Sequence, residues 1–574
     1  MKLALFVLIL IPFFLTAQWS DDPFQNSQVT DLAGEQVIPK IASNEGITYI
    51  GWFSLENGNY NVRLQKLDSQ GYEQWEHNGL LISDHTSMSW LTDWDMTIDQ
   101  DNHAILTFQD IRNGGNNNIY AYRISPEGDF IWGEDGLELS NSTAFDASPK
   151  VTALNSGNIV VSWSSEDEII MQKVSPDGNL LWGENGITLS CTDTYSWPQL
   201  LPVGDDDVIL KFFEDSGPFW APTRHVLAQR FDPDGNPVWA NITIISDAGG
   251  ISAWTQIFPF INDGNDGFFI AWHDDRDSNN LASIFIQHVN SEGEILFIDD
   301  GIEVSTMPNR NHFYPDLAYL PNTEEVFIFW SEMDGDQNQR GLYGQKMDLT
   351  GERLWTDNGN AFLELSGADK QDVTAKSAED DVVVFYRDFS FGNVLDCRVM
   401  AMRIHPDGSY VWENENVALS SLQSPKTDLV VSSFLNEQWI VTWEDERNDG
   451  GDIYAQNIRL NGELGPSGVQ IEDNEIQISD LKLSNYPNPF SSNTTISFNV
   501  EQTSLFVNLE IYNIKGQKVK TLECFNSFEA KATESLSITW NGKNDFGKPA
   551  KSGIYFLKLR TGNSSIMRKM ILIR

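Results

Sequence analysis

The chain has 574 residues, a formal net charge of −46, and 12% aromatic residues, among them 19 Trp and 33 Phe. That length exceeds one ordinary compact domain, and the aromatic supply suits a continuous core, which excludes a disordered chain. So acidic a surface repels nucleic acid and anionic lipid, so no nucleic-acid partner is expected.

Met1–Ala17 reads MKLALFVLILIPFFLTA. Lys2 gives a charged start, Leu3–Leu15 an apolar run too short for a comfortable membrane span, and Ala17 a small residue before a cut at Gln18. Residues 1–17 are therefore predicted to be a signal peptide, and no transmembrane helix is expected in the mature chain. No cysteine follows the cut, so no lipid anchor is expected. Residues 18–37 form an N-terminal segment placed to help close the repeat region.

Residues 38–473 are a repeat region. Its most regular copy is QKVSPDGNLLWGENGITLS, Gln172–Ser190. The turn glycines are Gly71, Gly128, Gly178, Gly235, Gly293, Gly351, Gly408 and Gly462, at steps of 50 to 58 residues. In the first seven copies an aromatic follows four residues later: Trp75, Trp132, Trp182, Trp239, Phe297, Trp355 and Trp412. The eighth, QNIRLNGELGPSGVQIED, has lost it. A fixed period of this size means a repeat architecture.

Each unit opens with a short segment, often marked by Pro (Pro39, Pro149, Pro198, Pro259, Pro315, Pro425). A dense apolar run follows and ends on an aromatic such as Trp52, Phe108, Trp163, Trp272, Trp330, Tyr386 or Trp443. A third segment alternates in polarity, and a turn with Gly leads into a fourth strand that carries the Trp. Such runs, bounded by Gly, Pro, Asn and Asp, read as strands. Four antiparallel strands per unit in tandem predict an all-β protein, a β-propeller. It has eight blades, or seven if the weak eighth copy and Gln28–Ile41 share one closing blade. Cys191 and Cys397 fall in repeats far apart around such a ring, so neither they nor Cys524 are expected to form a disulfide.

The repeats lack the Gly-His and Trp-Asp marks of WD40 propellers. SPDGNLLW loosely resembles the Asp-box of sialidase-type propellers, but Gly178 stands one place early, and no catalytic residue is carried across.

A second recurring feature is an aromatic followed by an acid and a base: Asp110 and Arg112, Asp274 and Arg276, Arg387 and Asp388, Asp445 and Arg447. At a ring mouth these side chains would suit polysaccharide binding or acid–base cleavage by two carboxylates. A catalytic group is needed once, however, whereas a residue seen in several units usually holds the unit together, so structural pairing is expected. The acidic, Asn-rich loops Arg112–Ile119, Asp275–Ile284, Glu332–Gly341 and Glu446–Ile453 would suit calcium by composition. None keeps a known calcium spacing, and no cofactor is expected. The 8 histidines are scattered without zinc-ligand spacing, and no nucleophile elbow or phosphate loop occurs. No catalytic, cofactor or metal residue is assigned. Trp90, Trp94, Trp197, Trp220 and Trp254 lie in loops between units and are expected to pack over sheet edges, with stacking on sugar rings as the other use.

From Ser479 onward the composition turns basic, with 13 Lys/Arg against 7 Asp/Glu. That change predicts a boundary within Glu472–Leu483, a linker at 474–483 and a separate domain at 484–574. Tyr486-Pro487-Asn488-Pro489-Phe490 is followed by alternation over Thr494–Phe498. Next come Tyr512 and Gly516, then a block of Trp540, Gly542, Asp545 and Gly547, and a late strand opened by Gly553 and Tyr555. These spaced features closely resemble the type A C-terminal sorting domain of the type IX secretion system of Bacteroidetes-type bacteria. The resemblance implies a small immunoglobulin-like β-sandwich recognised by an outer-membrane translocon and cut by a sorting protease. The mature protein is then released or attached to anionic lipopolysaccharide. The whole reads as exported cargo, secreted or on the outer cell surface, whose propeller binds a glycan or protein without catalysis. The alternative is a secreted glycoside hydrolase or lyase with its carboxylates at the propeller mouth.

Overall fold

The computed structural model describes residues 19–87, 94–218, 220–466, 483–498, 506–513, 518–526, 536–544, 547–561 and 564–573. The predicted signal peptide, residues 474–482 of the expected linker, Trp90, Gly516 and Asp545 lie outside the described residues. The described residues contain strands and turns and no helix, and the chain divides into two compact units, Met1–Ser467 and Gly468–Arg574.

The first unit is built from eight four-stranded antiparallel sheets. In chain order sheets 1 to 7 span 36–83, 95–138, 146–189, 194–246, 260–303, 310–366 and 368–420. Sheet 8 takes three strands from 426–459 and its fourth from Ser27–Gln28. In sheets 1 to 7 the strands lie side by side in sequence order, as short hairpin connections dictate.

The apolar runs form the second strands, buried along their length as in Phe268–Asp274, because each is covered on both faces by neighbouring sheets. Apolar clusters join successive sheets. Trp239 and Phe268 tie sheet 4 to sheet 5, Phe269 and Ile328 tie 5 to 6, and Phe385 and Val441 tie 7 to 8. One more cluster, with Trp19, Trp52, Ile440 and Ile453, ties sheet 8 back to sheet 1.

All eight turn glycines adopt positive φ, between 79° and 94°, which a Cβ would strain. The aromatic four residues later stands ahead of the fourth strand rather than on it, since in unit three Trp182 precedes Ile187–Leu189. A single bridge, Val174 to Leu180, ends the turn, and the chain then bends outward before it pairs again. The bend lays each indole on the next unit's turn. Trp132 Nε1 donates to Pro176 O at 2.9 Å, Trp239 Nε1 to Ser291 O at 2.8 Å and Trp412 Nε1 to Leu460 O at 3.0 Å.

Four of the prolines sit inside first strands rather than opening them. Pro39, Pro149, Pro198 and Pro315 each follow a left-handed residue (Ile38, Ser148, Trp197 and Tyr314, φ 51–54°) at a shift of strand register. The bulge re-aims the strand, and proline is tolerated there because no ladder hydrogen bond is lost.

Sheet 8 is completed from the other end of the chain: Ser27 pairs with Ala455 and Gln28 with Tyr454. Trp19, only 1% exposed, lies over Gly71 as each repeat's aromatic lies over the following glycine. The eighth copy lacks that aromatic, and Trp19 fills its place.

The second unit has a three-stranded sheet, Leu483–Tyr486, Thr494–Phe498 and Leu536–Trp540, and a four-stranded sheet led by Lys518–Asn526 and Phe506–Asn513. Both sheets feed one core containing Phe490, Ile496, Ile511, Trp540, Leu557 and Met570.

Candidate functional site

The recurring acids and bases are structural clamps. The indole N–H of Trp272 donates to Asp274 Oδ2 at 2.8 Å, and Arg276 Nη2 reaches the same oxygen at 2.7 Å. The Arg276 guanidinium lies 3.3 Å over the Phe285 ring and donates to Asp300 O at 3.1 Å. Trp443, Asp445, Arg447 and Tyr454 repeat the arrangement, as do Asp110, Arg112 and Tyr120 without an indole. Each clamp pins the connection after a second strand to the third strand. Arg387 and Asp388 do not pair with each other. Arg387 reaches Asp372 at 2.6 Å, and Asp388 is held by Lys370 and by Arg398 at 2.8 Å. These groups are therefore spent on the fold.

First strands of neighbouring sheets, and in sheet 5 the segment that leads into one, are linked by polar side chains. Asp95 Oδ2 accepts from Val151 N at 3.0 Å, Gln199 exchanges two hydrogen bonds with the Phe258 backbone, and Asp316 Oδ2 accepts from Ala375 N at 2.8 Å.

A cavity of about 550 Å³ lies among the segment leading into sheet 5, the second strand of that sheet and the first strands of sheets 6 and 7. Its apolar wall is Ile257, Phe258, Pro259, Tyr314 and Pro315, and its polar groups are His273, Asp316, Gln371 and Asp372, with no Lys or Arg in the lining. Tyr314, at 62% exposure, lies in the left-handed bulge at the rim, with its ring 5.3 Å from that of His273. His273 is buried, accepts from Tyr314 N at 3.4 Å, and burial lowers its imidazole to about 4, so it is neutral near pH 7. Burial also pushes the Asp316 carboxyl up. Trp254, at 88% exposure, stands beside Thr255 of the lining.

Sequence reasoning missed His273, Tyr314, Asp316 and Gln371 as a group. The one signal was Pro315, which marks the bulge. Of the five loop tryptophans, Trp220 and Trp254 are exposed, while Trp94 is 1% exposed, packs on Phe53 and donates to Ile38 O at 3.0 Å. Trp197 is half-buried inside a first strand. Trp94 thus packs on sheet 1, the structural use expected of these tryptophans. Among the described residues no three His, Cys, Asp or Glu side chains gather as a metal-holding group. Cys191 and Cys397 are free thiols.

In the second unit, Phe490 packs on Trp540, which packs in turn on Tyr555, at ring separations of 5.5 and 5.3 Å. Trp540 Nε1 donates to Lys543 O at 2.8 Å, beside the positive-φ residues Gly542 and Gly547. Asn488 Oδ1 accepts from Ile571 N at 2.8 Å, which ties the Pro487–Pro489 segment to the last strand. Tyr512 donates to Glu510 at 2.6 Å and Tyr555 to Lys551 O at 2.7 Å, while Tyr486 stays 82% exposed. Gly553 opens the strand Gly553–Thr561.

Residues 484–573 match the family described as the secretion system C-terminal sorting domain. No curated protein matches the chain. Among solved structures, the chain is similar to the Dos1 propeller, at 11% identity and TM-score 0.42 over 77% of this chain and 96% of that one. It is also similar to the β-propeller domain of the trilobed protease of Pyrococcus furiosus, at 8% identity and TM-score 0.35 over 69% and 98%. An α-L-arabinanase of Penicillium chrysogenum matches at 14% identity and TM-score 0.31 over 55% and 94%.

Proposed function

We propose that this chain, whose residues 484–573 carry the sorting domain of the type IX secretion system, is exported cargo whose propeller is a non-catalytic glycan-binding module. In this reading the eight sheets are eight blades, residues 1–17 are the signal peptide, 18–37 help close the ring, and 484–574 fold as an immunoglobulin-like sandwich. The translocon and its sorting protease read that sandwich. The mature protein is then released or held by anionic lipopolysaccharide.

The observation that carries the ligand class is the cavity of about 550 Å³ rimmed by exposed Tyr314. Its size falls within the range of small-molecule sites, and one aromatic face with a few polar groups is the lining that a sugar ring asks for. The absence of Lys and Arg from the lining favours an uncharged sugar over an acidic one. Binding is favoured over cleavage because Asp316 and Asp372 already hold backbone N–H groups of the next sheet and, for Asp372, Arg387.

The test is a glycan array with the purified secreted chain, paired with a reducing-end assay. The reading expects a neutral glycan to bind, with affinity lowered about tenfold or more by Tyr314→Ala and no release of reducing ends. No binding, or binding indifferent to Tyr314, rejects the glycan site, and release of reducing ends favours the secreted enzyme instead.

A further inference from the structure

Two residues beyond the large aromatic of each second strand, the eight sheets carry Ser54, Asp110, Ser165, Glu214, Asp274, Glu332, Asp388 and Asp445; in sheet 4 the register of Gln199 with Lys211, like that of Lys150 with Ser162 in sheet 3, sets Phe212 level with Trp163. Five of the six acids have a built-in cation, and the sixth, Glu214, is only half-buried. Asp110 has Arg112 at 2.5 Å, Asp274 has Arg276 at 2.7 Å, and Asp445 has Arg447 at 2.5 Å and Lys426 at 3.5 Å. Glu332 has His312 at 3.2 Å and Arg310 at 3.6 Å, and Asp388 has Lys370 and Arg398. The two serines differ in what faces them across the sheet. Ser54 pairs with Gln36, which is neutral, whereas Ser165 pairs with Asp146, which is a carboxylic acid.

Asp146 is fully buried and, among the described residues, has no ion pair. Both of its carboxyl oxygens lack a hydrogen-bond partner. Its polar neighbours are the hydroxyls of Ser140, Ser142 and Ser165 and the indole N–H of Trp163, none in bonding geometry. Asn117 adjoins it, donating through its amide to Asp146 O, and Asn117 Oδ1 is a further buried oxygen without a partner. Burial pushes the carboxyl up, as a charge without a countercharge requires.

We propose that Asp146, with Asn117 Oδ1 and the neighbouring serine hydroxyls, binds a monovalent metal cation of the size and hardness of sodium. An unpaired ionised carboxylate in such a place is strongly disfavoured, and the fold meets that cost at Asp110, Asp274, Glu332, Asp388 and Asp445 by supplying a positive partner. Here it supplies no charged partner: beside the indole N–H of Trp163 stand the neutral oxygens of Ser140, Ser142, Ser165 and Asn117, the ligand type that hard cations take. One negative charge is cancelled by one positive charge, while a divalent ion would leave a buried excess. The site belongs to the fold of sheet 3 and stands independently of the glycan reading.

The test compares unfolding midpoints of the secreted chain in sodium, choline and calcium chloride at one ionic strength. The wild type is expected to unfold at a higher temperature in sodium than in choline, by a margin that grows with the logarithm of sodium concentration. Calcium should add no more than sodium does. Asp146→Asn, and separately Asn117→Ala, should unfold at the same temperature in sodium and choline. Equal wild-type midpoints in sodium and choline overturn the proposal and leave Asp146 protonated, a result that needs no variant to fold. A larger gain in calcium, or a sodium gain that survives Asp146→Asn, overturns it as well.

Discussion

Trp19 lies so close over Gly71 that a Cβ on the glycine would fall 2.3 Å from the indole Cε2. Gly178 meets Trp132 and Gly462 meets Trp412 in the same way, so the second residue after the predicted signal-peptide cut does the work that each repeat assigns to its own tryptophan. Ser20 O accepts from Gln456 Nε2 at 2.7 Å, and Ser27–Gln28 complete the same junction.

Trp19→Ala should therefore lower stability by about 3–5 kcal/mol, as for large buried aromatics elsewhere. Denaturant unfolding of the secreted chain measures it. A loss below 1 kcal/mol would show that the indole closes nothing. Gly71→Ala should also destabilise, because the added methyl meets both positive φ and the ring.

Arg276→Met should cost about 3–5 kcal/mol by leaving buried Asp274 without its cation. The double change Asp274→Asn with Arg276→Met should recover at least half of that loss, since a neutral amide still accepts from the Trp272 indole. A double mutant as unstable as the single one would contradict the clamp.

Glu444 is buried, and burial together with nearby Asp428 raises its carboxyl to about 8. An unfolded glutamate loses its proton near its ordinary value. Between the two the folded chain binds a proton that the unfolded chain does not, so stability falls as pH rises from about 4.5 to 8 and levels off above. Glu444→Gln should flatten that part of the stability profile. A wild-type profile already flat across the window would place the proton elsewhere.

Removing residues 484–574 should leave the unfolding midpoint of the repeat region unchanged while abolishing delivery beyond the outer membrane. Cell fractionation and calorimetry check the two halves separately. Trp540→Ala, which strips the middle ring from the Phe490–Trp540–Tyr555 stack, should impair export without moving the repeat transition.

What was legible in the sequence was local and periodic. Spacing of turn glycines and strand aromatics determined an all-β repeat of four-stranded units, because a hairpin's φ requirements and a buried strand's apolar run are written within about 50 residues. The tail motif was legible for the same reason, and recurrence of the Asp–Arg pairs already pointed to a structural task. What the tertiary structure decided was which distant segments meet. Trp19 and Ser27–Gln28 belong to sheet 8 only because the array returns to its start. Tyr314, His273 and Gln371 share a cavity because the first strands of sheets 6 and 7 converge there with the second strand of sheet 5. Asp146 is recognised as a carboxylate without its cation only when it is set beside the ion-paired acids of the other sheets. Periodicity specifies the contents of a sheet and the contact of each indole with the next turn, while the junction of sheet 8 with sheet 1 rests on side chains hundreds of residues apart, whose contacts leave no local pattern.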